Sequence, residues 1–225
     1  MDKVKNYILW PIWAIILTLS IYLILTNCLY RVLVHSSLIE EETLWKIISA
    51  DLSYRNIDKK RQEEVQSLVD KLPANLLPEE YSKIKILVIA SNQFNAFAAP
   101  GGRIILTTEL LDTKLSEQAL LFVIGHEIAH LSRKDHLYEF SKMIVAKIYG
   151  CLTRSELVAE LLMLIDGYKL KATELIADKY SAKILLQIYG NTKGGEEFFQ
   201  YLLKKDNNND SFFHPNLNKR LNNLS

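Results

Sequence analysis

Apolar and polar positions fall into three patterns along the chain, and each predicts a different kind of element. The first is an unbroken apolar run: from Asn6 to Tyr30 no charged residue interrupts NYILWPIWAIILTLSIYLILTNCLY. A helix of that length reaches about 37 Å, against a hydrocarbon core of about 30 Å. Trp10, Trp13 and Tyr30 stand toward its ends, where amphipathic rings favour the membrane–water boundary. Pro11 lies near the start, where it is tolerated. The run predicts a retained, single membrane anchor over residues 1–35. Three other readings fit less well, the first being a buried core helix, which rarely runs this long without a charge. A cleaved signal peptide has a shorter apolar stretch and a small-residue cleavage site. A lipoprotein signal ending at Cys28 would want a small residue where Asn27 stands. Lys3 and Lys5 precede the run, whereas Arg31 and then Glu40, Glu41 and Glu42 follow it. The bias of positive charge toward the cytoplasm then puts the bulk of the chain on the extracytoplasmic side.

The second pattern is the 3.6-residue rhythm of amphipathic helices, which covers most of residues 36–225. Ser37-x-x-Glu40 has the form of a capping box and opens a helix to roughly Leu52. Another runs from roughly Lys59 to Leu72, ahead of Pro73. Ser116 caps a strongly apolar helix, SEQALLFVIGHEIAHLSRKD. From Met143 to Ile165 the chain is apolar but carries Lys147, Arg154, Glu156 and Glu160, which predicts amphipathic core helices and not a second span. Ala172 to Tyr189 is a further helix with Gly190 as its stop. The third pattern is short and extended. KIKILVIA (83–90) alternates and then turns fully apolar, as a strand does. In the segment that follows, Pro100-Gly101-Gly102 separates two short runs, the signal of a hairpin. The expected fold class is α+β and mostly helical: one domain with a small sheet over residues 36–225, preceded by one N-terminal transmembrane helix.

Composition narrows the partners. Lys plus Arg is 27 and Asp plus Glu is 26, a net charge of +1. This gives no basic field for nucleic acid and no acidic disordered tail. The hydrophobic share of 49% stands at the upper edge of the soluble range, and the N-terminal run explains much of it. Two cysteines, Cys28 and Cys151, make neither a disulfide framework nor a cysteine-rich zinc module.

The chemistry concentrates in HEIAH. His126 and His130 are four residues apart, so on a helix they share a face and two imidazoles can bind one ion. Glu127 between them leans toward the same place, where its carboxylate can take a proton from an activated water. Zinc suits such a ligand set. A third ligand is needed, and two candidates compete. His136 stands at the last position of HExxHxxGxxH, but the glycine of that pattern is replaced by Arg133, which is costly in a left-handed turn. The plainer account of His136 is a histidine complementing a helix C-terminus. Glu174 and Asp178, in ATELIAD, share a helix face. One can bind a metal while the other accepts a hydrogen bond from a ligand imidazole.

Four stretches then occur together: NAFAAPGG (95–102), GHEIAHL (125–131), ELIAD (174–178) and FHPNLNKRL (213–221). Jointly they resemble the zinc metallopeptidases of the HtpX and CAAX prenyl protease type, gluzincins, in a small single-anchor branch. The resemblance implies a zincin-like metallopeptidase fold, one zinc ion per chain and hydrolysis of protein or peptide substrates, in membrane-protein or envelope quality control. It implies zinc ligation by His126, His130 and Glu174, with Glu127 as general base and acid. It places Asp178 behind the ligands and His214 near the oxyanion. Arg220 would orient His214 through a carboxylate or hold the C-terminal segment. In such a domain the substrate adds as a strand to a sheet edge, here supplied by Asn95, Ala96, Phe97 and Ala98. The chain departs from that family where a further histidine often follows HExxH: Asp135-His136 occupies the region with shifted spacing. Two other classes compete with a peptidase. One is a non-catalytic zincin-domain binding or assembly factor, against which the intact Glu127 speaks. The other is a tethered structural domain with a chance HExxH.

Overall fold

The uncharged N-terminal run is a single helix in a computed structural model of the protein, which describes residues 2–52, 57–81, 83–163, 167–205 and 217–224. Helix α1 (Asp2–Leu33) begins ahead of the apolar run, so Pro11 falls inside it and not in its first turn. Residues Trp10–Leu33, with a mean hydropathy of 2.1, are long and apolar enough to cross a membrane by length and composition. Three polar side chains in this stretch are satisfied locally. Thr18, Ser20 and Asn27 each donate to the carbonyl four residues earlier, at 2.9, 2.8 and 2.7 Å, as polar groups in an apolar helix must.

Helix α2 (Leu38–Leu52) opens on the capping box: Ser37 N–H donates to Glu40 Oε2 at 2.6 Å, and Glu40 N–H to Ser37 Oγ at 3.4 Å. Helix α3 (Lys59–Val69) follows, capped by Asp58. Strands β1 (Lys85–Ile89), β2 (Ala96–Ala99) and β3 (Arg103–Thr107) make one sheet in the order β1-β3-β2. β1 pairs in parallel with β3, and β2 pairs antiparallel with it as the expected hairpin, in the register Ala96↔Leu106 and Ala98↔Ile104. β2 is therefore an edge. A short α4 (Thr108–Leu111) leads to α5 (Glu117–Ser132), whose N-cap Ser116 accepts from Ala119 N–H. Then come α6 (Asp135–Thr153), α7 (Glu156–Met163), α8 (Gly167–Tyr189), α9 (Lys193–Lys205) and α10 (Leu217–Asn222).

These elements form two units. The larger consists of Ser36–His136 and Gly167–Ser225. Its core sets the sheet residues Ile86, Val88, Ile104 and Leu106 against Phe122, Ile124 and Ile128 of α5, with Ile184 and Leu185 of α8 and Phe199 of α9 closing around them. Helix α5 is thus buried on almost every side, which explains its nearly unbroken apolar composition.

The smaller unit consists of Met1–His35 and Leu137–Asp166. Tyr22 of α1 is buried with Val145 and Ala146 of α6 and Leu162 of α7. Tyr30 meets Tyr138 edge-on at 5.3 Å and Tyr22 meets Tyr149 at 6.3 Å, so α6 runs antiparallel to α1. The amphipathic stretch 143–165 does form helices, as its pattern predicts. Its apolar face, however, packs on the N-terminal helix, and Ile148, Leu152, Leu157 and Leu161 stay exposed. Periodicity marks an apolar face without naming its partner.

Candidate metal centre

Helix α5 carries His126 and His130 on one side, with their Nε2 atoms 3.1 Å apart. Helix α8 supplies the opposing group because α5 narrows at Gly125. A Cβ at that position would sit 2.8 Å from Ser181 Oγ, and Ser181 donates to the Phe122 carbonyl. This close approach brings Glu174 against both imidazoles. Its Oε2 lies 3.4 Å from His126 Nε2 and its Oε1 lies 3.4 Å from His130 Nε2. A tetrahedral ion with bonds of about 2.0–2.1 Å has ligand–ligand edges of about 3.3 Å. The His126–His130 separation approaches such an edge, and each imidazole has its own Glu174 oxygen at 3.4 Å, so His126, His130 and Glu174 could hold a metal ion.

The outer nitrogens of both imidazoles are engaged as well. His126 Nδ1 lies 3.0 Å from Asp178 Oδ1, one turn beyond Glu174 on α8, and His130 Nδ1 lies 3.1 Å from Asp135 Oδ2. With the carboxylate accepting, each ring donates from Nδ1 and turns its Nε2 lone pair inward, the orientation a metal ligand needs. The spacing of Glu174 and Asp178 foretold the first of these contacts. The second was not foretold. Asp135 reaches back because α5 ends at Ser132 and Lys134 adopts φ 56°, reversing the chain within two residues. The left-handed position is therefore Lys134 and not Arg133, whose φ is −91°. The one sequence signal was the unusual Asp135-His136 pair after HExxH.

Arg220 of α10 locks the far side. It is buried, and it donates from Nε and Nη2 to the two Asp178 oxygens at 2.7 Å each. Its Nη1 is 3.1 Å from Glu174 Oε2, and its guanidinium lies over the Phe199 ring at 4.9 Å. Arg220 thus grips both acidic residues of α8; His214, its expected partner, lies outside the described residues.

The electrostatics favour a cation. Burial works against charge on His126 and His130, but the carboxylates of Asp178 and Glu174 around the first, and of Asp135 and Glu174 around the second, outweigh it and raise both imidazoles. Burial also acts to raise Glu174, yet the two imidazoles and Arg220 hold it well below the usual carboxylate range. A site that draws protons so strongly would draw a dication for the same reason.

Glu127 is buried beside this cluster and is not part of it. Burial pushes its carboxyl up, the two imidazoles pull it down, and Glu174 pushes it up again, for a net rise. Its carboxylate accepts from the Ala98 backbone N–H, which fixes how β2 lies. Thr107 N–H donates to the Asn95 carbonyl at 3.1 Å. By antiparallel alternation, Phe97 and Ala99 face β3 as Asn95 does, while Ala96 and Ala98 turn their backbone groups to the open edge. Of the four residues expected to line that edge, Ala96 and Ala98 do so, and Asn95 and Phe97 spend their backbone on the sheet.

His136 is neither in the cluster nor at a helix C-terminus. It is the second residue of α6, buried, with Nδ1 3.4 Å from the His130 carbonyl and Nε2 3.7 Å from Glu41 Oε2. The model of peptidase family M48 matches residues 59–225 of the chain. That span takes in α5, α8, α10 and the β2 edge. No curated protein matches the chain.

Proposed function

The chain belongs to peptidase family M48, and from that premise we propose that it is a membrane-anchored, zinc-dependent endopeptidase acting on protein substrates. The observation that carries this is the cluster of His126, His130 and Glu174, with the two Nε2 atoms 3.1 Å apart and one Glu174 oxygen 3.4 Å from each, and with Glu127 beside it. Two imidazole nitrogens and a carboxylate suit zinc and would leave a fourth position for a water. When bound, zinc supplies Lewis-acid chemistry to a water and to the scissile carbonyl.

The remaining steps belong to the chain. A substrate segment adds to the open edge of β2 as a further strand, exchanging backbone hydrogen bonds with Ala96 and with the Ala98 carbonyl. Glu127 takes the proton of the attacking water and passes it to the leaving amine. Its buried carboxyl, raised above its ordinary value by burial, suits that exchange. Asp178 and Asp135 hold the two imidazoles in register, and Arg220 holds Asp178 and Glu174. His214 would donate to the oxyanion. The N-terminal helix α1 would tether the enzyme, with the catalytic domain on the extracytoplasmic side and membrane or envelope proteins as substrates.

Full-length protein in detergent, loaded with one zinc per chain, should cleave fluorescent casein. Glu127→Gln should keep its zinc and lose about 10²–10⁴-fold in kcat, the usual worth of a positioned acid–base group. Equal cleavage by the variant would sink Glu127 as the base. No cleavage by zinc-loaded wild type would sink the peptidase.

A further inference from the structure

Helix α2 lies outside the residues matched by the family model, yet it carries one of the most deeply buried carboxylates in the larger unit. Glu41 is 1% exposed. Such a group is costly unless it is bonded, and its bonds lead to the site. Glu41 Oε2 accepts from Gly101 N–H at 2.9 Å and from Tyr81 Oη–H at 2.8 Å. Gly101 and Gly102 turn β2 into β3 with φ of +78° and +70°, a tight turn with no side chains of its own to anchor it. The next residue of α2 completes the hold. Glu42 pairs with Arg103 at 2.7 Å, and Arg103 donates to the carbonyls of Pro100 and Gly101 at 3.0 and 3.3 Å. Trp45, one turn on, lies under the Arg103 guanidinium at 4.7 Å. On its other side Glu41 faces the reversal after α5: Lys134 Nζ is 3.9 Å from Oε1 and His136 Nε2 is 3.7 Å from Oε2.

We propose that Glu41 is a positioning residue: it clamps the Pro100–Gly102 turn to the end of the metal helix and so sets where the substrate-receiving edge of β2 stands. Ala98, whose N–H holds Glu127, is three residues from Gly101, so the clamp governs both the edge and the orientation of the base. The proposal deepens the peptidase reading and rests on it for the word substrate, but the clamp itself can be measured without catalysis.

The test is hydrogen–deuterium exchange on the full chain in detergent, with casein KM and kcat in parallel, for Glu41→Gln, Glu41→Asp and Glu41→Ala. Glutamine puts an oxygen where Oε2 stands and should stay within about threefold of wild type in exchange and in KM. Aspartate keeps the charge but falls one methylene short, and should lie between glutamine and alanine. In Glu41→Ala the amides of Ala98, Ala99, Gly101 and Gly102 should exchange about tenfold faster, those of α9 should not change, and KM should rise about fivefold. Unchanged exchange at 98–102 in the aspartate and alanine variants overturns the clamp, whatever the activity. A fall in kcat at constant KM together with equally faster exchange in α9 also overturns it, because lost stability alone removes active molecules without changing KM. If the alanine variant does not fold, the aspartate–glutamine pair decides. Inactive wild type with protected 98–102 amides would sink the peptidase reading and leave the clamp standing.

Discussion

Asp135 and Asp178 do the same work on two imidazoles from very different surroundings. Asp178 is 1% exposed, bonded to His126 and gripped twice by Arg220. Asp135 is half-buried and shares its Oδ2 between His130 and Arg133 Nε, at 3.1 and 3.0 Å. A carboxylate behind a ligand imidazole is worth about 10–100-fold in metal affinity. Asp178→Asn should approach the upper figure, because it also loosens Arg220 from Glu174; Asp135→Asn should fall near the lower. Competition with a chromophoric zinc chelator measures both, and wild-type affinity in both variants would deny the imidazoles their orienting partners. The two differ equally in how legible they were. Asp178 stands four residues from Glu174, a spacing that a helix makes meaningful on its face. Asp135 depends on Lys134 taking a left-handed conformation that residues other than glycine seldom adopt, and no spacing rule reaches across such a turn. Glu41 was less legible still: the sequence marks the helix start near it, but nothing local tells a buried acid from a solvated one.

At the scale of elements, the site depends on how closely α5 and α8 approach. Gly125 permits that contact, and its substitution can be set against another glycine that has no such task. Gly125→Ala would press a methyl group on Ser181 Oγ, on Ile184 Cδ1 at 3.1 Å and on the Ser181 backbone at 3.3 Å. Overpacking of this kind costs about 1–3 kcal/mol, and the relief is a shift of α8 that carries Glu174 away from the histidines. Gly190 ends α8 at φ +69° with nothing within 4 Å of its missing Cβ. There alanine should cost about 1–2 kcal/mol of left-handed strain and leave the metal alone. Thermal unfolding should therefore fall in both variants, while zinc affinity falls only in Gly125→Ala. Equal affinity in the two would mean that the α5–α8 distance does not set the site. Helices α2, α3, α5 and α8, the hairpin and the strand were legible because each rests on a local period or turn signal, whereas α9 and α10 were not picked out. The pairing of α6 and α7 with α1 was not, since a long-range contact between apolar faces leaves no mark in spacing.

That pairing decides what the N-terminal helix is for in the molecule as a whole. The chain leaves the larger unit after His136 and returns to it at Gly167, and between these points Val145, Ala146 and Leu162 pack on α1. A plain tether would touch only lipid, and any apolar sequence of the same length would replace it. Here Tyr22 is fully buried among Val145, Ala146 and Leu162, whereas Ile24, two residues on, is 61% exposed. Removing residues 1–35 would therefore bare an apolar face of α6 and α7 as well as remove the proposed membrane anchor, so the isolated 36–225 fragment should aggregate without detergent. Point substitutions separate the two roles in the full chain. Tyr22→Ala should lower the stability of the smaller unit by about 3–5 kcal/mol, the cost of deleting a buried aromatic side chain. Ile24→Ala should cost almost nothing in detergent, and both variants should remain in the membrane fraction. Thermal unfolding followed by tyrosine fluorescence would read the difference. Identical curves for the two would reduce α1 to an anchor, and a soluble, monodisperse 36–225 fragment would do the same.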